Sequence, residues 1–304
     1  MMKKTNKSNK KSVGKEQCYQ VKEASELMSF LMATYPGKSR NSIKSLLSHK
    51  QVRVNKETIT QYNHQLNPSD WVFIGEPSNR RPVIKGLQIV YEDQAIIVID
   101  KEEGVLSVAT DTEKRDTAYS TLSNYVKAQD PRNRIFVLHR LDRDTSGLMM
   151  FAKNQEVQEK MQRNWEQMVT ERTYLAVVEG KIEQREGNVE SYLWENKKSM
   201  KMHSSKDPNE GEYAQTHYRC LRWNDSFSLL QCKLDTGKKN QIRVHLSDIG
   251  HPIIGDKKYG SKTNPIRRMA LHACELAFVH PVTGKELYFS TPIPKKFSRL
   301  LGAK

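Results

Sequence analysis

HRLDRDTSG, residues 139–147, joins two apolar stretches, Ile135-Phe136-Val137-Leu138 and Leu148-Met149-Met150-Phe151. The flanks read as buried strands, so a histidine, two arginines and two aspartates fall in a joint next to core. Charge at that depth is costly unless it is paired or used in chemistry, whereas a surface turn carries it freely. Leu138 and Leu141 are expected to point inward. Asp144-Thr145-Ser146-Gly147 supply turn chemistry: short polar side chains that bond nearby backbone, and a glycine free to take an unusual φ. A turn leaves Asp142, flanked by Arg140 and Arg143, unexplained.

Three chemistries compete for Asp142. A hard cation held by His139, Asp142 and Asp144 would have few carboxylates and repelling arginines nearby. An aspartic-protease site fails, because Asp144-Thr145-Ser146-Gly147 has one residue too many for D-[TS]-G and no second copy exists. A lone carboxylate, acting as nucleophile or base and kept ionised by arginine, uses all the charges; a nearby guanidinium lowers a carboxylate pKa by ~1–3 units.

Working outward, the chain from Leu87 is strand-rich. "LQIVYED" and "AIIVIDK" flank a turn, and "RIFVLHR", "GLMMFAK", "TYLAVVEG", "THYRCLRW" and "FSLLQCKL" follow. A helix is expected over Gln155 to Glu171, its stripe of Val157, Met161, Trp165 and Met168 serving as core. Many strands with few long helices predict an α+β fold with a mixed, mainly antiparallel sheet flanked by helices and loops. Upstream, Leu27, Phe30 and Leu31, then Ile43, Leu46 and Leu47, predict helix, turn, helix around Pro36-Gly37, followed by short strands in "QVRVN" and "DWVFIG". The expected organisation is a disordered basic tail over 1–16, a small α/β module over 17–75, a linker over 76–86 and a large domain over 87–304.

With 50 Lys and Arg against 35 Asp and Glu, the formal net charge is +15. Such a field favours a polyanionic partner, although a solvated basic surface is the ordinary alternative. Lys38, Arg40, Lys44, Lys50 and Arg53 share the small module and suggest a phosphate-reading surface, against the ordinary alternative of a charged face. No apolar run approaches the ~18 residues of a membrane helix, so no membrane is expected. Cys18, Cys220, Cys232 and Cys274 lack C-x-x-C spacing and read as reduced thiols of a cytoplasmic protein.

The nine residues of the joint resemble the H-R-L-D-x-x-T-S-G signature of the RluA family of RNA pseudouridine synthases. Supporting motifs follow in the family's order: "ERTYLAVVEG" (171–180), "TGKKNQIRVHL" (236–246), "GHPIIGDKKYG" (250–260) and "LHACELAFVHPVTGKE" (271–286). "IVYEDQAIIVIDKEEGVLSV" resembles the family's opening, except that Glu102-Glu103 stands where Lys-Pro-x-Gly is usual, a departure expected to alter a turn rather than the chemistry. The resemblance spans about 87–300. Residues 17–75 resemble, less specifically, the αL RNA-binding module named for ribosomal protein S-four, with Lys56 where a glycine usually follows Asn55.

The resemblance implies an enzyme that breaks the N1–C1′ bond of uridine, rotates the base and joins C5 to C1′, with neither metal nor cofactor. It implies Asp142 as nucleophile, Arg243 paired with it, and Tyr174 stacked on the target base, its hydroxyl available for the late removal of the C5 proton. Taken alone, Arg243 would be a strand-surface arginine and Tyr174 core. Arg140 would fill the place of the flipped uridine or grip the backbone, its alternative being an ion pair with Asp142 or Asp144. Lys238, Lys239, Lys257 and Lys258 are candidates for phosphate contact, and Lys197 to Lys206 for an exposed basic loop. The implied partner is structured RNA, ribosomal ahead of transfer RNA, with no obligate protein partner. The rivals are a non-catalytic RNA-binding ribosome-assembly factor and a metal-dependent nuclease.

Overall fold

The computed structural model describes residues 11–13, 16–48, 51–55, 57–74, 83–84, 86–110, 113 and 116–302. The chain divides into two compact units, Met1–Arg81 and Pro82–Lys304. That division falls inside the expected linker, most of which (residues 76–82 and 85) lies outside the described residues.

The first unit comprises β1 (Lys11–Val13), β2 (Glu16–Gln20), β3 (Ser25–Glu26), α1 (Leu27–Thr34), α2 (Arg40–Ser48), β4 (Val52–Val54), β5 (Glu57–Thr58), β6 (Gln65–Leu66) and β7 (Trp71–Ile74). Leu27 and Leu31 of α1 and Ile43 and Leu47 of α2 pack on Val52, Val54, Val72 and Ile74, the apolar faces that the helical and alternating spacings mark out. The sheet runs β1-β2-β7-β4-β5, and β3 pairs with β6. The expected tail over 1–16 is corrected in part: Lys11–Val13 pairs antiparallel with β2, and Glu16 already belongs to β2. Polar side chains do not prevent this, because an edge strand offers backbone N–H and C=O groups to any sequence. Residues 1–10 and 14–15 lie outside the described residues, as do Lys50 and Lys56. Asn55 takes the left-handed conformation (φ 55°), held by bonds from Nδ2 to Asp70 Oδ1 (2.9 Å) and from Trp71 N to Oδ1 (2.9 Å). Asparagine is the residue after glycine best suited to that conformation.

The second unit comprises β8 (Val83–Ile84), β9 (Leu87–Glu92), β10 (Ile96–Lys101), α3 (Ala118–Gln129), β11 (Phe136–Val137), β12 (Ser146–Ala152), α4 (Gln155–Arg163), α5 (Trp165–Met168), β13 (Val169–Glu179), β14 (Glu186–Asn196), β15 (Lys201–Ser205), β16 (Glu212–Trp223), β17 (Phe227–Leu234), α6 (Gln241–Asp248), β18 (Leu271–Val279), β19 (Glu286–Ser290) and α7 (Lys295–Leu300). Among the described residues one sheet runs β15-β14-β16-β17-β13-β18-β12-β10-β9-β8, with β11 on β12 and β19 on β18. Its pairs are antiparallel except β12 with β18, so the fold is α+β with a mixed, mainly antiparallel sheet. The centre is apolar on both faces: every residue of β12 is buried, as are Ile96 to Ile99 of β10. Each buried Leu, Ile, Val, Met or Phe side chain among them stabilises the fold by roughly 1.5–3 kcal/mol.

Gly147 sits at the parallel crossing with φ +115°, and a Cβ there would lie 2.1 Å from the carbonyl oxygen of Ala273. Three expectations are corrected. The helix over 155–171 breaks at Asn164, and Glu171 lies in β13, which starts at the β-branched Val169. "RIFVLHR" contributes only Phe136–Val137 as strand. Lys197 to Lys206 is not a loop throughout, because 201–205 form β15, paired with β14. No helix of the described residues is long and apolar enough to cross a membrane.

Candidate active site

The loop between β11 and β12 is held from behind by the segment that ends β10. Ser107 Oγ donates to Leu141 O (2.6 Å) and accepts from Leu141 N (3.0 Å). Lys101, fully buried, donates from Nζ to the carbonyls of Glu102 (3.1 Å), Val105 (2.8 Å) and Arg143 (3.1 Å). Gly104 N also donates to Arg143 O (2.9 Å). Burial pushes the Lys101 ammonium down to about 8, against the pull of Asp144 and Asp142. The Glu102-Glu103 departure stays in this turn: Glu102 is exposed, and Glu103 pairs with Arg268 Nη1 (2.7 Å) and Lys296 (3.5 Å). Leu138 and Leu141 point inward as expected, and Thr145 N donates to Asp142 O (3.1 Å).

Asp142 is half-buried. Its Oδ2 accepts from Arg243 Nη1 (2.9 Å) and Asn240 Nδ2 (2.6 Å), while Oδ1 accepts no hydrogen bond among the described residues. Arg243 lies on helix α6, not on a strand surface, and is held from its other edge by Asp256, with Nε to Oδ2 at 2.7 Å and Nη2 to Oδ1 at 2.9 Å. Burial works against the charged guanidinium, but Asp256 and then Asp142 outweigh it and hold Arg243 above the usual arginine range. The guanidinium also lies over the Tyr259 ring, 4.8 Å from its centroid. Tyr259 Oη donates to Asn240 Oδ1 (3.0 Å) and accepts from Met202 N (3.1 Å), so the amide presents its NH2 to Asp142. Asn240 itself is left-handed (φ 54°) and starts α6.

Asp256, Asn240, Tyr259 and Lys101 were not singled out from sequence. Asp256 and Tyr259 stand in "GHPIIGDKKYG", where an aspartate among glycines and lysines reads as an exposed turn. Lys101 ends an apolar run, and that position was its one signal.

Tyr174, on β13, faces Asp142 across a cavity of about 70 Å³ lined also by Arg140, Leu141, Asn240, Arg243 and Leu271. Burial, opposed by Arg172 and supported by Asp142, pushes its phenol up to about 12. A second cavity, of about 380 Å³, shares Arg140, Tyr174, Leu234 and Lys238 with the first and adds His139, Gln162, Trp165, Arg172 and Gly237. The two form an inner chamber with a vestibule. A groove of about 420 Å³ on β14, β16 and β17 is lined by other residues and does not include Asp142.

Arg140 is exposed, lines both chambers and makes no ion pair among the described residues, so its local alternative is not formed. Of the candidate phosphate contacts, Lys238 pairs with Glu212 (2.9 Å), Lys239 with Glu195, and Lys258 donates to Met200 O (2.6 Å), while Lys257 is exposed. Lys38, Arg40, Lys44 and Arg53 belong to the first unit. There Lys38 lies over Tyr35, Lys44 over Tyr62 and Arg53 over Phe73. His139, Asp142 and Asp144 do not converge as metal ligands: among the described residues no three His, Cys, Asp or Glu side chains do, and His139 Nε2 accepts from Met150 N (3.1 Å).

A mixed sheet with a carboxylate–guanidinium–carboxylate cluster lining a cleft, in a chain that also carries a small basic module as a separate unit, defines a class of RNA-modifying isomerase. Family models agree: one described as RNA pseudouridylate synthase matches residues 95–248, and one described as S4 domain matches residues 27–72. The uncharacterized RNA pseudouridine synthase YhcT of Bacillus subtilis (strain 168) is 30% identical over 298 residues, 96% of this chain and 98% of that one. The ribosomal large subunit pseudouridine synthase D of Nitrosomonas europaea is 36% identical over 71% of this chain and 65% of that one. The solved structure of human RNA Pseudouridylate Synthase Domain Containing 4 shares the fold, with TM-score 0.56 and 23% identity over 69% of this chain and 89% of that one. The chain belongs to the RNA pseudouridylate synthase family and carries an S4 domain in front of the catalytic unit.

Proposed function

We propose that this enzyme converts specific uridines of structured RNA, foremost large-subunit ribosomal RNA, through nucleophilic attack by Asp142 on a uridine flipped out of its stack. The observation that carries the assignment is the asymmetry of the Asp142 carboxylate: Oδ2 is held by Arg243 and Asn240, and Oδ1 is left to form a bond in the inner chamber. Attack by Oδ1, on C1′ of the ribose or C6 of the base, makes a covalent intermediate that lets the glycosidic bond break and the uracil turn in place. C5 then bonds to C1′, Asp142 leaves as a carboxylate, and the C5 proton passes to solvent water. Tyr174 walls the chamber and takes the stacking role rather than that of a base, because a phenol pushed up to about 12 stays protonated at neutral pH. Arg140, exposed at the rim, suits the place the uridine vacates; flipping costs a few kcal/mol, least at unpaired positions.

Lys257 and the S4-domain residues Lys38, Arg40, Lys44 and Arg53 are assigned to phosphates, which give register rather than base identity. Relatives named ribosomal large subunit pseudouridine synthase D support the choice of ribosomal over transfer RNA. Location in the cytoplasm goes with that substrate.

The test is Asp142→Asn against the wild type, read by chemical mapping of pseudouridine in total RNA from cells with and without each form. The variant should make none while binding RNA within about threefold of wild type. Wild type without pseudouridine on any RNA would favour an assembly factor, and RNA cleavage abolished by a chelator would favour a nuclease.

A further inference from the structure

The vestibule outside the inner chamber has features that attack on the target uridine does not use. His139 is pinned by Met150 N donating to its Nε2 (3.1 Å), which places the ring proton on Nδ1. No buried polar side-chain atom lacks a partner among the described residues, and Nδ1 makes no hydrogen bond, so it is the solvent-reachable nitrogen of a half-buried ring that lines the vestibule. The imidazole stays neutral, because burial and then Arg172 push it down to about 3. Its ring lies 5.4 Å from that of Trp165, tilted by 50°. Arg172 is fastened by Nη2 to Asp235 O (3.1 Å), and a Cβ at Gly237 would lie 2.5 Å from its Nη1, so glycine there makes room for the guanidinium. The space, about 380 Å³, is in the range of small-ligand sites. It shares the walls Arg140 and Tyr174 with the chamber of Asp142.

We propose that the vestibule is a subsite for one unpaired nucleotide adjoining the target uridine, in which His139 Nδ1–H donates to an acceptor on that nucleotide's base and Arg172 meets its phosphate. A neutral donor of fixed tautomer reads an acceptor without attracting a phosphate, and Arg172 supplies the charge, so base and backbone are met by different groups. Single-stranded nucleic acid is commonly bound by this pairing of ring surface and cation. The subsite makes the RNA around the target unpaired over at least one neighbour, which lowers the cost of flipping.

This rests on the activity proposed above, and the experiment separates the two. The probe is an oligoribonucleotide spanning a uridine that the wild type converts, together with versions carrying one abasic residue at each of the two positions on either side. His139→Met leaves a thioether as a weak acceptor for Met150 N and carries no donor; Arg172→Gln is the second variant. Each should weaken binding of the intact RNA by about five- to tenfold, the scale of one hydrogen bond. At one flanking position the abasic RNA should bind wild type and His139→Met equally, so that the two losses do not add, whereas Arg172→Gln, which acts on the phosphate that an abasic residue keeps, should add at every position. Full additivity of His139→Met at all four positions, or wild-type affinity in Arg172→Gln, would overturn the subsite. Failure of the wild type to convert any uridine would instead overturn the activity itself.

Discussion

Asp256→Asn tests whether Arg243 acts as a positioned charge or merely as a structural one. Asp256 is 2% exposed in its side chain, does not line the chamber, and grips the guanidinium through Nε and Nη2. An asparagine has the same shape but no charge, and its amide accepts one of the two N–H bonds while turning an NH2 toward the other. A hydrogen bond to a charged group contributes ~1.5–3 kcal/mol. Removing one partner of a buried ion pair costs ~3–5 kcal/mol. Because Arg243 keeps Asp142, the lower end applies, and the unfolding free energy should fall by about 3 kcal/mol.

The consequence for chemistry follows from geometry. With one edge released, the guanidinium can follow Asp142, and the carboxylate loses the fixed Oδ2 anchor that leaves Oδ1 presented. A single-turnover rate about 100-fold lower is expected, equivalent to ~2.7 kcal/mol. The rate is read by tritium release from RNA carrying uridine labelled at C5, with urea unfolding followed in parallel. Asp256 acts through Arg243, so Asp256→Asn combined with Arg243→Met should be no slower than Arg243→Met alone. A rate within threefold of wild type in a variant that has lost stability would show that Asp256 only holds the fold, and multiplying penalties in the double variant would refute the chain of contacts.

Tyr259→Phe strips a donor from Asn240 and an acceptor from Met202 N; a loss of about 1–2 kcal/mol in stability and about tenfold in single-turnover rate is expected, and an unchanged rate would count against Asn240 orienting Asp142. Gly147→Ala places a methyl against the backbone of Ala273 and should cost upward of about 3 kcal/mol in urea unfolding, or fail to fold. His139, His245 and His272 are all pushed down by burial, to about 3, 4 and 4. A depressed pKa means that the unfolded chain takes the proton first, so their stability contribution is present above about pH 6.5 and is lost as pH falls toward 4. Several kcal/mol should disappear between pH 7 and 4.5, and a flat profile would contradict their burial. Lys101, down to about 8 from an ordinary 10.5, has the opposite window: the penalty of its buried charge is full below pH 8 and relieved toward 10.5. Wild type should therefore gain about 2 kcal/mol on Lys101→Met between pH 7 and 10.

What sequence carried well was the local contrast between charge and its apolar frame. Asp142 stood out because the stretches on both sides of its loop are apolar; β12 is buried throughout, and on the other side Ile135 and Leu138 are buried while Phe136 and Val137 are half-buried. Helix α6 was misread for a physical reason. Ile242, Val244 and Leu246 alternate as a strand would, while Gln241 and His245, four apart, look like its polar face. In the fold those two polar residues face the sheet. Gln241 donates to Gln215 O (2.8 Å) and Thr216 Oγ1 (3.0 Å), and His245 bonds Ser191 (2.9 Å) and Thr216 (2.9 Å). Buried polar residues that satisfy one another across elements erase the period on which pattern reading depends. Asn164, which divides α4 from α5, left no comparable trace, since a single asparagine is tolerated inside a helix.

The cations that attend Asp142 were illegible for a related reason. Reading along the chain, the neighbours Arg140 and Arg143 look like its counter-charges, yet both are exposed, and Arg143 lies 3.4 Å from Asp144. The charge is balanced instead by Arg243, 101 positions away, and by Lys101 behind the loop, both buried enough for their fields to escape screening by water. Sequence spacing carries no information about such a pair, because nothing ties positions so far apart until the sheet has closed. Division of labour follows from depth. Buried cations hold the carboxylate without competing for substrate, and exposed ones remain available to a polyanion arriving from solvent. A variant that moves charge from the deep set to the shallow one, such as Arg243→Met joined to an added surface lysine, keeps the net charge and should still lose conversion while retaining affinity for RNA.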